Sequence, residues 1–566
     1  MSLKSGESLD HSSSANVLEK KSLVTLWIVA GLAGLVQSVA SRLYIEPDGL
    51  NYLDVAYAYL RADFPNAVNA YWSPLYSWLL AILIALTHCS SYWESTLLHA
   101  LNFLMYLLAL SGFAFFFREI TSLMRNDGGE HGTNAPAGWA WNLLGYSIFV
   151  YASLELIRVG TDTPDLLVSA AFYFATGMLL RMRRGVAGWS TYFVFGVVLG
   201  LGYLAKAVMF PVSFAFLFCC FFAAGNVRRT FLRAVIAVGV FLLIASPWLF
   251  TLSKAKARFT FGDVGPLSYV RYVAATGKPI HPIRLGSGNP QVEEFATPVA
   301  GTYPPWYDST YWNEGLRPHF EVRAQLRALR INLGQYFLML SAQKGIAVGL
   351  FVLIFVSDRV REWMSRFLKL WPFWFSSILT LGLYGLVYVE TRYLGAAVVI
   401  LWVVLFATSA IPRWGSAGRI WRACLCAVSI SILLTVAAEL GRDVSTIMAS
   451  PQHAEWQAAE ELSRLGVRPG DLAALIGHSS EAADYWAHLA KIRIVAQVPS
   501  ESASSYWDGD RETRRRVQSD FAKAGASVIV TRIPPKDFRG DDWRRLGSTA
   551  YYALLLPTAK NSEQHH

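Results

Sequence analysis

Long apolar segments constrain the fold of this chain more than any other feature. A helix needs about 20 mostly apolar residues to cross a membrane, and about eleven segments approach or meet that length. Only 16% of the 566 residues are charged and 54% are hydrophobic, which excludes a soluble globular protein. The sequence predicts an all-α polytopic membrane protein. Its apolar segments lie near 22–43, 95–117, 139–157, 164–181, 189–205, 207–225, 231–250, 336–357, 371–389, 394–411 and 420–440.

The net charge of +10 arises from short basic clusters at the ends of these apolar segments. Such clusters favour the cytoplasmic side of a membrane, and they do not indicate a nucleic-acid partner. All of them fall on one side if the N-terminus is cytoplasmic and the apolar stretch 72–88 does not cross. We therefore expect that stretch to be re-entrant or interfacial, within a first external loop at 44–94. Examples of the clusters are Lys20 with Lys21, Arg181 with Arg183 and Arg184, and Arg419 with Arg422.

Polar stretches define the rest of the organisation. Residues 1–20 are polar and Ser-rich, which is typical of a disordered tail and here predicts a cytoplasmic one. The membrane domain is predicted to span 21–442, and it includes a long external loop at 254–335. That loop contains many Gly, Pro and aromatic residues. Loops of this length are usually functional or disordered, and the aromatic content favours an ordered loop against the membrane surface.

Residues 443–560 have a different pattern, which predicts a small soluble α/β domain on the external, periplasmic side. Apolar strands alternate with amphipathic helices there, and the segment contains neither a phosphate-binding loop nor a GxGxxG motif. It is therefore interpreted as an accessory domain. The predicted helices are 455–465, 482–490 and 511–524, and the predicted strands are 472–476, 492–498 and 527–531.

Ionisable residues at membrane depth are candidates for function, because each costs about 2.5 to 3.5 kcal/mol on insertion scales. Four places in the chain qualify, and the predicted topology puts all of them at the external face. They are Asp48 with Glu46 and Asp54, Asp162 with Asp165, Lys206, and Arg392 with Glu390 and Tyr393.

Acids and cations at one water–lipid boundary suit glycosyl transfer from a lipid phosphate. A carboxylate such as Asp48 can accept the proton of an attacking hydroxyl. Lys206 and Arg392 can hold a departing phosphate, the lysine as a point charge and the arginine by a bidentate fork.

Structural roles for the same residues stay open at this point. Asp48 can cap a helix that starts at Gly49, and Asp162 can cap the helix that Pro164 opens. Lys206 can extend its charge to the interface, and Arg392 can form a purely structural pair with Glu390.

No metal site is predicted. The five cysteines lie in or beside apolar segments without metal-ligand spacing, which favours a packing role. The histidines His99, His281 and His319 are isolated in sequence.

Five motifs carry a family resemblance when they are taken in order. They are Pro47-Asp-Gly-x-x-Tyr52, Tyr71-Trp-Ser-Pro-Leu-Tyr76, Thr161-Asp-Thr-Pro-Asp165, Gly200-Leu-Gly-Tyr-Leu-Ala-Lys206 and Ser246-Pro-Trp248. In this order the chain resembles the GT-C membrane glycosyltransferases over residues 22–440, and it is most similar to the branch of protein O-mannosyltransferases and the lipid A aminoarabinose transferase.

This resemblance implies a polyprenyl-phosphate-linked monosaccharide as donor, inversion at the anomeric carbon, and an acceptor on the external face that is a lipid, glycan or protein. Asp48 matches the catalytic acid/base position of the family, Asp162 matches a second acid near the site, and Lys206 matches a lysine near the donor phosphate. Further residues expected to bind substrate are Arg392, Tyr52, Asp165, Glu46, Tyr393 and Trp72.

The chain also departs from the family. The aminoarabinose transferase has Glu-Lys-Pro in its first loop where this chain has Trp72-Ser73-Pro74, so the resemblance does not extend to lipid A as acceptor. Some GT-C enzymes need a divalent metal, but this branch generally does not, and no cofactor is expected.

The sequence thus predicts a GT-C glycosyltransferase of a bacterial inner membrane. The main alternative is a transporter or flippase of lipid-linked or anionic substrates. Transporters commonly contain internal repeats and midplane charges, whereas no repeat is found here and the charges are predicted at one face. A scaffold whose C-terminal domain recruits a partner is a third class, in which the acids would be dispensable.

Overall fold

The structure is a computed structural model of the chain. It describes residues 5–131, 138–225, 227–277, 284–286, 288–295, 300–311, 315–356, 360–409, 417–449, 453–478, 484–532 and 543–557. The predicted boundaries at 1–20, 254–335 and 443–560 include some residues outside these ranges.

Helices dominate the described residues. The first eleven are α1 (Ser5–Ser41), α2 (Pro47–Leu60), α3 (Phe64–Ala67), α4 (Pro74–Thr87), α5 (Glu94–His131), α6 (Trp139–Tyr151), α7 (Asp165–Arg183), α8 (Trp189–Ala205), α9 (Met209–Ala223), α10 (Val227–Ala255) and α11 (Val264–Tyr272). They are followed by α12 (Pro304–Tyr307), α13 (Val322–Ala342), α14 (Lys344–Val356), α15 (Val360–Lys369), α16 (Trp371–Val387), α17 (Thr391–Ala407), α18 (Ala417–Met448), α19 (Ala454–Arg464), α20 (Tyr485–Leu489), α21 (Ala503–Trp507) and α22 (Arg511–Lys523).

The described residues contain nine short strands, which lie in two parts of the chain. They are β1 (Ala275–Thr276), β2 (Arg284–Leu285), β3 (Glu293–Glu294), β4 (Arg317–Pro318), β5 (Leu472–His478), β6 (Arg493–Pro499), β7 (Val528–Thr531), β8 (Arg544–Arg545) and β9 (Tyr552–Leu555). The helices and strands predicted for the C-terminal α/β region are confirmed, with boundaries that differ by a few residues.

Where the structure describes them, all eleven apolar segments predicted from the sequence lie mainly on helices, and the chain is a multi-pass membrane protein. By length and composition, six helices in the described part of the chain can cross a membrane, or up to eight if each of two sharply bent helix pairs is one span. The bent pairs are Val322–Ala342 with Lys344–Phe355 and Val360–Lys369 with Trp371–Val387. Helices α8, α9 and α17 have only 15 to 17 residues, so the number eleven stays a prediction.

Two predicted segments differ in detail from the structure. Helix α1 begins at Ser5 and continues without a break to Ser41, so the tail predicted to be disordered is helical from Ser5 onward. Helix α4 contains 14 residues and is about 21 Å long at 1.5 Å per residue. That is shorter than a hydrocarbon core of about 30 Å, but α8, α9 and α17 are also short, so the non-crossing of this stretch stays a prediction.

The chain divides into two compact units, and the first contains most of the apolar helices. It comprises Met1–Arg42, His99–Gly262 and Phe320–Ala449. Buried aromatic side chains fill its interior. The ring of Phe113 stacks on Phe149 at 4.9 Å and meets Tyr146 edge-on at 5.4 Å.

Glycines allow α8 and α10 to pack closely within this unit. A Cβ atom at Gly196 would lie 2.5 Å from the backbone oxygen of Ala237, and one at Gly200 would lie 2.7 Å from Ile244. Small residues four apart are a common contact surface between membrane helices. The close packing fixes the end of α8, where Lys206 follows.

The second unit comprises Leu43–Leu98, Asp263–His319 and Ser450–His566. Its seven-stranded sheet has the order β2-β3-β6-β5-β7-β9-β8, in which β5 is parallel to β6 and β7. Strands β2 and β3 come from the long loop, and β3 pairs antiparallel with β6 of the C-terminal region. The loop also adds Val292, Phe295 and Tyr311 to the core of the sheet.

Candidate functional site

A buried ion pair joins two of the predicted residues in the first unit. Asp165 is the first residue of α7, and Lys206 directly follows α8. The Lys206 Nζ atom lies 2.5 Å from Asp165 Oδ1, and the two side chains are 18% and 3% exposed. Thr163 Oγ1 donates a hydrogen bond of 2.7 Å to the other carboxylate oxygen. Both oxygens of Asp165 are therefore hydrogen-bonded.

Aromatic and charged groups of α17 surround the ammonium group of Lys206. Its Nζ atom lies 3.7 Å from the centre of the Tyr393 ring, within the range of a cation–π interaction. The Tyr393 ring stacks on Tyr384 at 5.0 Å. The Nε atom of Arg392 lies 2.6 Å from Oε1 of Glu390. The guanidinium carbon of Arg392 lies 5.2 Å from the centre of the Tyr393 ring.

These side chains line a pocket with two kinds of surface. Asp165, Lys206, Arg392 and Tyr393 supply charged and polar groups. The remaining wall is largely apolar. Its apolar members are Val168, Phe172, Val208, Val212, Ala396 and Ala397. The free volume of this pocket is about 10 Å³, which is room for about one water molecule. The structure thus brings two paired cations together beside apolar side chains, in a space too small for a lipid headgroup.

Asp162 lies in a different environment of the same unit. Its side chain is fully buried, and its Oδ1 atom lies 3.4 Å from His99 Nδ1. Asn102 donates hydrogen bonds to the backbone oxygen of Thr161 and, at 3.4 Å, to Asp162. The first residue of α7 is preceded by Pro164, and no side-chain hydrogen bond caps that helix. Asp162 is thus not its cap.

Asp48 belongs to the second unit, in the first turn of α2. The helix begins at Pro47 and has Glu46 at its N-cap position, without a side-chain cap. The structural alternative in which Asp48 caps a helix starting at Gly49 therefore does not hold. Asp48 Oδ1 accepts a hydrogen bond of 3.2 Å from Trp306 Nε1 of the long loop, so an aromatic side chain holds the partly buried carboxylate.

Tyr52 and Trp72 contribute to the packing of α2 in this unit. They are 5% and 4% exposed, and their rings meet edge-on at 5.0 Å. Tyr52 also meets Tyr76 at 5.0 Å. These contacts fix the position of α2, and substrate binding by Tyr52, Trp72 and Glu46 stays a prediction.

Sequence reasoning missed a histidine that joins distant parts of the second unit. His488 Nδ1 lies 3.1 Å from Asp54 and its Nε2 lies 3.0 Å from Glu94. Tyr57 donates a hydrogen bond to Glu94, and Thr302 donates two to Asp54. Burial lowers the pKa of His488, but the hydrogen bonds and charges of Asp54 and Glu94 outweigh it and raise that pKa to about 10. The partners are 434 and 394 residues apart, and no sequence pattern connects them.

Metal-ligating side chains do not cluster in the described part of the chain. Among those residues, no group of three or more His, Cys, Asp or Glu is arranged to hold a metal ion. A reaction without a metal cofactor stays a prediction.

Solved structures show which fold the chain has. It matches ArnT from Cupriavidus metallidurans bound to undecaprenyl phosphate with a TM-score of 0.52 and 11% identity, over 94% of this chain and 97% of that chain. The apo state of the same protein matches with a TM-score of 0.50 and 12% identity, over 94% and 98%. No protein-family model and no curated protein matches the sequence. At such low identity the two structural matches show a shared fold.

Proposed function

We propose that this chain, which has the fold of the GT-C membrane glycosyltransferases, transfers a monosaccharide from a polyprenyl phosphate to an acceptor hydroxyl on the external face of a bacterial inner membrane. One observation carries the proposal. The buried Asp165–Lys206 pair meets the guanidinium group of Arg392 beside side chains that are largely apolar. An isoprenoid phosphate has the matching combination of a hydrocarbon chain and an anionic head.

The solved ArnT structure with undecaprenyl phosphate supports this class of donor. That protein shares the fold of this chain across nearly its whole length. In the proposed reaction Lys206 and Arg392 stabilise the negative charge that develops on the leaving phosphate, and Asp165 keeps the lysine in place.

Asp48 accepts the proton in this proposal. The acceptor oxygen forms a bond to the sugar C1 atom while the bond from C1 to the phosphate oxygen breaks. The proton of the acceptor hydroxyl moves to the Asp48 carboxylate. The electron pair of the broken C1–oxygen bond leaves with polyprenyl phosphate. Attack opposite the leaving group inverts the anomeric carbon. Asp162 is the second acid of the proposal. It contacts His99, and its proposed role is to position that histidine.

Replacement of Asp48 with Asn tests the reaction. Purified wild-type protein should transfer label from a polyprenyl-phospho-sugar to bacterial membranes, and Asp48→Asn should be slower by about 10² to 10⁴-fold, the usual contribution of a general base. The variant should still bind donor and elute from a sizing column as the wild type does. Glu501→Gln changes an exposed carboxylate of the same unit and should leave the rate unchanged.

Three outcomes separate the alternatives. A wild-type rate in Asp48→Asn removes this residue from the chemistry. Movement of donor across a proteoliposome membrane without transfer identifies a flippase instead. Neither transfer nor movement, with any donor offered, refutes both functions.

A further inference from the structure

The second unit contains a cavity of about 380 Å³ that the proposed reaction does not use. Its walls come from the end of α2, from residues 300–302 of the long loop and from the residues that follow α20. This volume lies in the range of small-molecule sites, about 300 to 1,000 Å³. The cavity can thus hold a ligand the size of a phosphorylated sugar.

Positive charge predominates in the cavity. Both ring nitrogens of His488 face carboxylates, so the protonated imidazole with Asp54 and Glu94 has a net charge of −1. Thr302 also donates two hydrogen bonds to Asp54, at 2.6 and 3.0 Å. The other charged lining residues are three cations, Arg61, Lys491 and Arg493, and one acid, Asp63.

Two helices end at the cavity in an unusual way. The backbone N–H of Asp63 donates a hydrogen bond of 2.9 Å to the carbonyl oxygen of Ala58. The N–H of Ala62 donates one of 3.0 Å to the carbonyl oxygen of Tyr59. This is the hydrogen-bond pattern of a Schellman motif, in which glycine usually occupies the left-handed position. Here the position is held by Ala62, with φ of 56°. The motif places Arg61 and Asp63 on either side of that residue.

Helix α20 ends in the same motif. Ile492 N donates to Ala487 O and Lys491 N to His488 O, at 3.0 and 2.9 Å. Lys491 holds the left-handed position with φ of 57°. A non-glycine residue in this conformation is strained, and such strain concentrates at binding sites. The second unit thus keeps a lysine where glycine would be less strained.

Other lining groups suit a sugar ring. Tyr57 and Tyr307 offer aromatic side chains, and Asn66, Ser91 and Asp63 offer polar groups for hydroxyls. A small number of polar groups beside an aromatic surface is typical of small-molecule sites. We propose that this cavity binds a sugar that carries a phosphate or carboxylate group, with Arg61, Lys491 and Arg493 around the anion and Tyr57 and Tyr307 beside the ring.

Calorimetry on the full-length purified protein tests the proposal at pH 7. Glucose 6-phosphate and glucuronate are the anionic probes, and glucose and inorganic phosphate are the separate halves. At least one of the two anionic sugars should bind about tenfold more tightly than glucose, as one charge-assisted contact implies. The stronger of the two identifies the anionic group. Equal binding of glucose, or of inorganic phosphate alone, overturns the proposal, as does the absence of binding.

Lys491→Gly separates binding from folding. Glycine suits the left-handed backbone, so the variant should melt at or above the wild-type temperature and yet bind the anionic sugar about tenfold more weakly. Arg493→Gln should weaken binding similarly. The matched control is Arg515→Gln, an exposed arginine of α22 outside the cavity, which should bind as the wild type does.

The test is independent of sugar transfer. Asp48→Asn should retain binding of the anionic sugar, so the proposed reaction and this site can fail separately. Unchanged affinity in both Lys491→Gly and Arg493→Gln overturns the assignment of the cavity.

Discussion

Lys206 forms an ion pair that a single substitution can break. Lys206→Met should leave the buried Asp165 carboxylate without its cation, which typically lowers the free energy of unfolding by about 3 to 5 kcal/mol. The variant should also lose affinity for a polyprenyl phosphate. Thermal unfolding in detergent and a donor-binding assay measure the two effects.

Two further variants separate charge from stability at this pair. Asp165→Asn combined with Lys206→Met removes both charges, so the unfolding temperature should recover while donor binding stays weak. Lys254→Met changes an exposed lysine in the last turn of α10 and should alter neither quantity. Full donor affinity in Lys206→Met would contradict the proposed role of the lysine.

The predicted charged residues show what a sequence can and cannot specify at this scale. Lys206 and Arg392 could be identified because charged side chains are rare in apolar segments. The partner of Lys206 could not, because Asp162 and Asp165 are only three residues apart and either could face it. Contacts between helices decide the matter, and they pair Lys206 with Asp165 and Asp162 with His99.

At the level of elements, His488 connects α20 to α2 and to the start of α5 through Asp54 and Glu94. Its pKa rises in the folded protein from 6.5 to about 10, so the folded state holds the proton more tightly. The stabilisation is fully present below pH 6.5 and is lost as the pH rises towards 10.

We therefore expect the unfolding free energy of the second unit to fall between pH 6.5 and 10. One proton contributes a slope of at most about 1.4 kcal/mol per pH unit. His488→Gln should remove this slope, whereas His319→Gln, at an exposed site, should keep it. Thermal unfolding measured across this pH range distinguishes the variants, and an unchanged slope in His488→Gln would exclude the ionic role.

Elements were predictable where their signal is local. Apolar length identified the membrane helices, and alternating strands and helices identified the C-terminal region. The two-residue strands β2 and β3 are too short to show a periodic pattern. Their place in the sheet depends on β6, about 200 residues later in the chain, so no local rule could find it.

At the level of the whole molecule, the long loop and the C-terminal region share one sheet and one core. A chain ending at Ala449 would leave β3 without β6 and would expose Val292 and Phe295. We expect the protease Glu-C to cleave this truncated protein rapidly after Glu293 and Glu294. Their pairing with β6 in the full-length protein should slow that cleavage by at least about tenfold. Equal cleavage rates, measured in detergent by mass spectrometry, would contradict this dependence.

The GT-C fold was predictable at this scale because several weak motifs occur in a fixed order along the chain. The cavity of the second unit was not, since its lining residues come from four parts of the chain, at 54–66, 91, 300–307 and 488–493. The predicted membrane orientation and the predicted acceptor class stay proposals.

The pairing of β3 with β6 also sets a time scale for biosynthesis. Glu293 and Gln497 face each other across the two strands, 204 residues apart. A ribosome adds about 5 to 20 residues per second, so the loop strand is made about 10 to 40 s before its partner. During that interval the nascent loop carries an unpaired strand edge and apolar side chains that have nothing to pack against. The sheet is completed only when the last fifth of the chain has been made.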